Sequence, residues 1–362
     1  MRILTLALLA HAAGASSVSY LAKMADSFMS HGVNKVSGYG EATLYKGFEE
    51  AYRVTGNKAI IPWYKNQLDG SVVLENGTIV GWKDGFFSLD AYRIGNCFLW
   101  WYERTGEAKY KTAARTIRSH MDRHPRTPSG GFWHRDPSYP NQMWLDGIFM
   151  ADSFYARWTA AFDARNRSAW DDVALQYDLI EAHTRNKTTG LLVHGYDESK
   201  VAVWADPVTG AAPLVWGRAL GWYFLSLTEV IPLFPTWHPA RARLTRYFIS
   251  IAAALKKTQD SSGGWWLVMN DPYPGMKGNY IESSESAMFT YGFLIGMRLG
   301  LLDKREYLRP ARKAYNCLTS RFITENADGT INWEGTVKVG SLGSNGTFEV
   351  SSHPAQLSEA RS

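Results

Sequence analysis

Two aspartates at the starts of apolar helical stretches are the residues best suited to acid–base chemistry. Asp146 lies in the run QMWLDGIFM (142–150), and Asp90 lies in SLDAYRIG (88–95). An apolar surround and a neighbouring carboxylate raise the pKa of a carboxyl group, as a general acid requires, whereas the start of a helix favours the anion. Aspartate is also a favoured helix N-cap, so each residue alone could be structural. Together, on adjacent helices, they have the arrangement of a glycosidase pair.

Arg218 stands at the start of another apolar stretch, WGRALGW (216–222). An unpaired charge is costly to bury, so Arg218 either pairs with a carboxylate of the protein or binds one supplied by a ligand. Arginine binds carboxylates through two parallel hydrogen bonds, and Trp204, Trp216 and Trp222 could stack on a sugar ring. His194, in LLVHGYD (191–197), could donate a hydrogen bond to the same ligand or serve a structural role.

His120 and His124 are four residues apart on a predicted helix and form a candidate metal pair. No third histidine stands nearby in the sequence, so we expect both side chains to lie on the solvated surface. The chain contains no Walker loop, GxSxG elbow, HExxH or CxxC motif. Phosphate-binding, serine-hydrolase and zinc-finger chemistry are therefore without support.

Composition indicates one large globular domain. The 362 residues are 45% hydrophobic and 20% charged, and no linker-like segment divides them. An aromatic content of 14% suits sugar binding as well as a large core. The net charge of +5 favours an anionic ligand. Because Lys and Arg are scattered rather than clustered, no nucleic-acid partner is indicated.

Two kinds of helix alternate along the chain. Some stretches are almost wholly apolar, such as GRALGWYFL (217–225), and others carry charges on one face, such as 107–123. A helix that is apolar all round must be buried and an amphipathic one covers it, so the alternation predicts a closed double layer. The predicted helices span 17–30, 40–54, 57–68, 89–104, 107–124, 146–163, 168–185, 217–233, 239–257, 284–300 and 304–322.

Four similar glycine-then-apolar blocks separate these helices. They are GGFWH (130–134), GLLVH (190–194), GGWWL (263–267) and GTINW (329–333). Each precedes an inner helix, which is typical of a repeat architecture. We expect these extended segments to collect at one mouth of the barrel, where a site would lie.

The N-terminus has the pattern of an export signal over 1–15, with a basic start, an apolar run and a small-residue cleavage site. The run is too short to span a membrane. We expect secretion, or a cytoplasmic location if the segment instead begins a core helix. Glycosylation sequons begin at Asn76, Asn166, Asn186 and Asn345. The sequence does not say whether its two cysteines, Cys97 and Cys317, pair.

Three strings resemble glycoside hydrolase family 105, the unsaturated rhamnogalacturonyl hydrolases: YPNQMWLDG (139–147), WGRALGW (216–222) and ESSESAMF (282–289). Family 88, the unsaturated glucuronyl hydrolases, is a close relative. The resemblance runs from about Gly38 to Gly343 and implies an all-α fold, an (α/α)6 barrel. We expect the barrel domain to span 16–348. It also implies release of the terminal 4,5-unsaturated galacturonyl residue from lyase-generated rhamnogalacturonan or pectin oligosaccharides. In such enzymes an aspartate protonates the double bond and water adds at C5.

The resemblance assigns roles by position. Asp146 matches the family's general acid/base, and Asp90 matches its second acidic residue. His194, Trp216, Arg218 and Trp222 match positions that line the uronate subsite. We further expect substrate contacts from Trp204, Trp144, Met143, His134 and Arg135. The implied partner is the unsaturated uronyl oligosaccharide, with no metal or organic cofactor.

One departure lies in the segment 349–362, where the family continues into a final helix. Eleven helices are predicted where the fold has twelve, so we expect apolar barrel surface to be exposed. Three alternatives stay open: a family 88 unsaturated glucuronyl hydrolase, a lyase or epimerase on a similar barrel, and a sugar-binding homologue without turnover. Lyases commonly use a Tyr, Lys or His base and epimerases paired histidines, which the Asp90–Asp146 arrangement fits less well.

Overall fold

The computed structural model describes residues 19–351 and 357–358. The predicted export signal and most of the 349–362 segment lie outside these residues. Helices dominate the described chain, and the predicted all-α barrel is confirmed. No described helix is both long enough and apolar enough to cross a bilayer.

The helices form an inner and an outer layer. The inner helices are α2 (Tyr39–Thr55), α4 (Gly95–Thr105), α6 (Leu145–Gly147) continuing into α7 (Ser153–Phe162), α9 (Gly217–Val230) and α11 (Ser283–Arg298). The outer helices are α1 (Tyr20–His31), α3 (Ile60–Leu68), α5 (Ala108–Met121), α8 (Arg167–Thr184), α10 (Ala240–Lys257) and α12 (Lys304–Arg321). A single turn, α13 (Phe348–Ser351), follows. The layers differ because α9 is mostly apolar and almost wholly buried, whereas α12 buries one narrow stripe.

Two predicted helices are interrupted near their starts. The stretch predicted at 89–104 begins as a 3-10 turn, Leu89–Tyr92, and the stretch at 146–163 contains a π turn, Ile148–Asp152, between α6 and α7. At the π turn, the Ser153 hydroxyl donates to the carbonyl of Phe149 and accepts from the Arg93 guanidinium. Irregular turns of this kind are frequent at functional sites.

Short antiparallel strand pairs join the helices. β1 (Phe87–Ser88) pairs with β2 (Arg135–Asp136), β3 (Gln142–Trp144) with β4 (Gly195–Asp197), and β5 (Trp265–Trp266) with β6 (Ile281–Glu282). β7 (Ile323–Glu325) pairs with β8 (Ile331–Trp333), and β9 (Thr336–Val337) with β10 (Leu357–Ser358). Each glycine-then-apolar block either contains one of these strands or leads directly into one.

A repeated backbone hydrogen bond ties these loops to the inner helices. The N–H groups of Leu89, Leu145, Gly217 and Ser283 donate to the carbonyls of His134, His194, Leu267 and Gly335, respectively. Every donor is the first residue of its helical segment, and every acceptor belongs to a loop later in the chain. The residue after the donor is Asp90, Asp146 or Arg218 in three of the four cases. The backbone therefore fixes the chemically interesting residues at equivalent positions.

His120 and His124 are buried, so the prediction of a solvated position was wrong. The Tyr92 hydroxyl lies 2.8 Å from Nδ1 of His120 and 2.7 Å from Nδ1 of His124. Nε2 of His120 donates to the carbonyl of Asp84, and Nε2 of His124 to that of Trp133. Burial is tolerated because every ring nitrogen has a partner. Within the described residues, no cluster of side chains is suited to a metal ion.

One side of the barrel keeps apolar surface exposed. On α11, Tyr291 and Leu294 are 38% and 42% exposed. An apolar groove between α1 and α2 is lined by residues such as Leu21 and Phe28. Elsewhere in the core, Cys97 and Cys317 are buried free thiols rather than a disulfide.

Candidate active site

A cavity of about 140 Å³ opens where the inner helices begin. It is lined by Tyr39, Asp90, His134, Arg135, Tyr139, Trp144, Asp146, Met150, Trp216, Arg218, Trp222, Val339, Gly340 and Ser341. The lining combines carboxylates, two arginines and flat aromatic rings, which are the groups that bind an acidic sugar.

Asp146 interacts with two histidines. Its Oδ2 lies 3.0 Å from Nε2 of His194. Burial raises the pKa of the Asp146 carboxyl, but His194, through its charge and hydrogen bond, and His134, through its charge, together bring that pKa below its ordinary value. Trp144 occupies the N-cap position of α6, so Asp146 is not a helix cap.

Asp90 forms an ion pair at the same cavity. Its Oδ2 accepts a hydrogen bond of 2.6 Å from Nη2 of Arg135, and Nε of Arg135 donates to the Ser88 hydroxyl. His134 lies beside this pair, with Nε2 4.0 Å from Oδ1 of Asp90. Burial lowers the pKa of the His134 imidazole, and the charges of Asp90 and Asp146 oppose this shift. Ser88, not Asp90, occupies the N-cap position of the 3-10 turn.

Stacked rings orient the histidines. His134 stacks on Trp144 with ring centroids 4.1 Å apart and 12° between the planes. His194 stacks on Trp216 with centroids 5.1 Å apart. Since both imidazoles are held by indole faces, their edges have fixed directions relative to Asp146.

Arg218 has no carboxylate partner among the described residues. Its Nη1 donates to the backbone carbonyl of Val337, and its guanidinium lies 4.9 Å from the centre of the Trp216 ring. The side chain is buried yet borders the cavity. Of the two possibilities that the sequence left open, the structure therefore excludes the protein ion pair within the described chain. The guanidinium borders the cavity and could bind a carboxylate supplied there.

Comparison with known proteins identifies the family. The family model described as Glycosyl Hydrolase Family 88 matches residues 19–353, which is most of the chain. The chain belongs to glycosyl hydrolase family 88. The resemblance to family 105 is also confirmed, because a solved family 105 glycoside hydrolase from C. acetobutylicum is 33% identical, with a TM-score of 0.87. That similarity covers 92% of this chain and 93% of the other.

Two further relatives of this family 88 hydrolase are known from sequence. Protein Atu3128 of Agrobacterium fabrum is 36% identical over 176 residues, which cover 48% of this chain and 74% of that protein. The unsaturated rhamnogalacturonyl hydrolase YesR of Bacillus subtilis is 27% identical over 250 residues, which cover 67% of this chain and 66% of that protein.

The structure brings together most of the residues that the sequence singled out. Asp90, Asp146, His134, Arg135, Trp144, Trp216, Arg218 and Trp222 all line the cavity of this family 88 hydrolase. His194 contacts it through Asp146. Two predicted substrate contacts lie elsewhere: Trp204 packs behind Trp144 and beside Leu342, and the Met143 sulfur accepts a hydrogen bond from the Tyr196 hydroxyl.

Sequence reasoning missed six lining residues, namely Tyr39, Tyr139, Met150, Val339, Gly340 and Ser341. Tyr39 begins α2, so the rule that chemistry sits at the starts of inner helices would have found it. The segment 339–341 follows β9 and forms part of one wall of the cavity. A side chain at Gly340 would overlap with the Trp216 ring, so glycine is required there. No motif signals this close approach.

Proposed function

We propose that this hydrolase removes a terminal 4,5-unsaturated galacturonyl residue from rhamnogalacturonan or pectin fragments. One observation carries the proposal: Arg218, which has no carboxylate partner among the described residues, shares a small cavity with Asp146, and Asp146 is hydrogen-bonded to His194. The Arg218 guanidinium can bind a uronate carboxylate, and the Asp146–His194 pair can transfer a proton. The similarity to YesR supports galacturonyl over glucuronyl substrates.

In the proposed reaction, Asp146 transfers its proton to C4 and the C4=C5 double bond is lost. The ring oxygen stabilises the positive charge that develops at C5, and a water oxygen bonds there. The proton released by this water returns to Asp146. The resulting hemiketal opens to a ketone at C5, and C1 then expels the neighbouring sugar as an alcohol. One water is consumed, and the protein is unchanged.

The lowered pKa of Asp146 is compatible with an acid role. A bound uronate adds a negative charge nearby and displaces water, and both effects raise the pKa of a carboxyl group. His194 shares the hydrogen bond with Asp146 and supplies a second place for the proton. We therefore assign proton donation to the pair, delivered by Asp146.

Asp90 is proposed to hold the sugar rather than to exchange protons. Its ion pair with Arg135 fixes both side chains at the cavity edge. A carboxylate held in this way accepts hydrogen bonds from sugar hydroxyl groups. Trp144 and Trp222 line the cavity and are proposed to provide apolar surface for the sugar ring.

The test is the loss of double-bond absorbance from an unsaturated rhamnogalacturonan disaccharide. Wild type should remove the absorbance, and Asp146→Asn should not, because the amide cannot donate the required proton. Asp152→Asn is a matched control, since Asp152 is a buried aspartate in the adjoining π turn that does not line the cavity. Absorbance that stays constant with wild type would overturn the proposal. Loss of absorbance with Asp146→Asn would show that Asp146 is not the proton donor.

We also propose that the chain is exported and glycosylated. The support is the sequence pattern over 1–15 together with the exposure of the sequon residues Asn76, Asn186 and Asn345. Expression in a secreting host, followed by N-terminal sequencing and glycosidase treatment of the medium, tests this. An uncleaved protein retained in the cells would contradict it.

A further inference from the structure

A second group of ionisable side chains lies directly behind the cavity wall. Glu285 in α11 is fully buried, and neither of its carboxyl oxygens has a hydrogen-bond partner in the described chain. The carboxyl group rests against Gly217, where any added Cβ would overlap with it. Gly217 immediately precedes Arg218 in α9. An unsatisfied buried carboxyl group is costly, so its position next to the uronate-binding arginine calls for a functional explanation.

The ionisable groups that face Glu285 come from three segments. Arg218 comes from α9, Tyr280 from the loop before β6, and Glu282 from β6 itself. Glu282 accepts hydrogen bonds from the N–H groups of Val337 and Glu285, as expected of a carboxylate. The Tyr280 hydroxyl is buried without a partner in this part of the structure. An ionised Glu285 would therefore be a second negative charge beside a single cation.

Glu285 does not form an ion pair with Arg218. The guanidinium instead donates to the carbonyl of Val337. Burial and the charge of Glu282 raise the pKa of Glu285 well above its ordinary value, against the opposing effect of Arg218. This shift favours the neutral carboxyl group, which leaves the positive charge of Arg218 available.

We propose that Glu285 sets the upper pH limit for uronate binding. While neutral, it leaves the charge of Arg218 to the substrate; once ionised, it competes with the substrate carboxylate for that charge. Glu285 is a positioning residue, because it acts through Arg218 and does not line the cavity. The inference rests on the proposed uronate-binding function and adds its pH regulation.

Steady-state kinetics between about pH 5 and pH 9 test the inference. If only the neutral form binds, KM of wild type should rise about tenfold per pH unit once Glu285 ionises. The side chains introduced by Glu285→Gln and Glu285→Met cannot ionise, so the rise of KM with pH should be absent in both variants. The variants should differ from wild type in KM rather than in kcat. Two variants are used because a buried amide and an apolar thioether make different demands on folding. Asp152→Asn, another buried and incompletely paired carboxyl group, should keep the wild-type profile.

Two measurements without turnover separate this inference from the hydrolase proposal. Infrared spectra of the ligand-free protein at pH near neutrality should contain a protonated-carboxyl band that Glu285→Gln lacks. Calorimetry should show that D-galacturonate binds wild type less tightly at alkaline pH and binds Glu285→Gln with little pH dependence. Absence of that infrared difference, or coincident pH profiles in wild type and both variants, would overturn the role of Glu285. If both results hold but no unsaturated uronide is consumed, the hydrolase proposal fails and the pH limit on uronate binding stands.

Discussion

Nε2 of His194 lies 3.0 Å from Oδ2 of Asp146, while the face of the same imidazole stacks on Trp216. The histidine is thus oriented by an indole that itself lines the cavity. His194 lowers the pKa of Asp146, whereas burial raises it. The protonation of Asp146 therefore depends on His194 as well as on the apolar surroundings.

Removing this histidine should raise the pKa of Asp146. In His194→Ala, burial remains and the largest opposing interaction is lost. Because the protonated acid is the donor, kcat/KM falls as pH rises through the pKa of Asp146, and this alkaline limb should move to higher pH in the variant. The rate at the optimum should fall about 10²-fold, since proton delivery is less well oriented.

The pH dependence of kcat/KM for wild type and His194→Ala is the measurement. His183→Ala serves as the control, because His183 is an exposed histidine outside the cavity. An alkaline limb at the same pH in all three proteins would show that His194 does not control the ionisation of Asp146.

Replacement of Arg218 should weaken binding specifically of the substrate carboxylate. Arg218→Met keeps the length of the side chain in a buried position but removes the charge. Loss of charged hydrogen bonds worth about 2–3 kcal/mol corresponds to a KM about 30- to 150-fold higher. The comparison substrate is the methyl ester of the same uronide, which carries no charge. If the variant raises KM equally for acid and ester, Arg218 does not bind the carboxylate.

Gly340 should be intolerant of even one methyl group. In Gly340→Ala the added Cβ overlaps with the Trp216 ring, so the wall segment or the indole must shift. We expect a loss of about 1–3 kcal/mol in the free energy of unfolding. We also expect a higher KM. Gly47→Ala is the control, since that glycine lies within α2 with open space around it and should be slightly stabilising. Equal behaviour of the two variants would show that the close approach at Gly340 is unimportant.

An ion pair between buried Arg93 and partly buried Glu229 should stabilise the barrel away from the cavity. The Arg93 guanidinium forms two hydrogen bonds with the Glu229 carboxylate, of 2.8 and 2.9 Å, and a third with Ser153. Arg93→Met leaves the carboxylate without its partner and should lower the free energy of unfolding by about 3–5 kcal/mol. Chemical denaturation of Arg93→Met, Glu229→Gln and the double variant measures this. Strictly additive losses would mean that the two residues are not coupled.

Much of the fold follows from local sequence. The alternation of apolar and amphipathic stretches predicts the two layers. A helix that is apolar all round is buried on all sides, whereas an amphipathic helix buries only one face. The irregular turns at 89–92 and 148–152 were not predictable, since they depend on side chains that meet in space, such as Arg93 and Ser153.

The site residues that could be predicted are charged residues at the starts of apolar helices, a position that recurs along the chain. Asp90, Asp146 and Arg218 could be found because charged residues at the starts of apolar helices are rare and costly. The burial of His120 and His124 was not predicted, because their hydrogen-bond partners, Tyr92 and two backbone carbonyls, come from other segments of the chain. The segment 339–341 carries no motif, and the lowered pKa of Asp146 depends on distances to histidines that no spacing reveals.

The repeated hydrogen bond from the first residue of an inner helix to the following loop uses only peptide groups. Side chains one position further along, at 90, 146, 218 and 284, can therefore be exchanged during evolution without altering what holds them in place. A duplicated gene could acquire a different donor or cation at any of these four points by single substitutions, with the scaffold inherited intact. Specificity would then drift through point replacements at the mouth, while the helical layers change only under selection for stability.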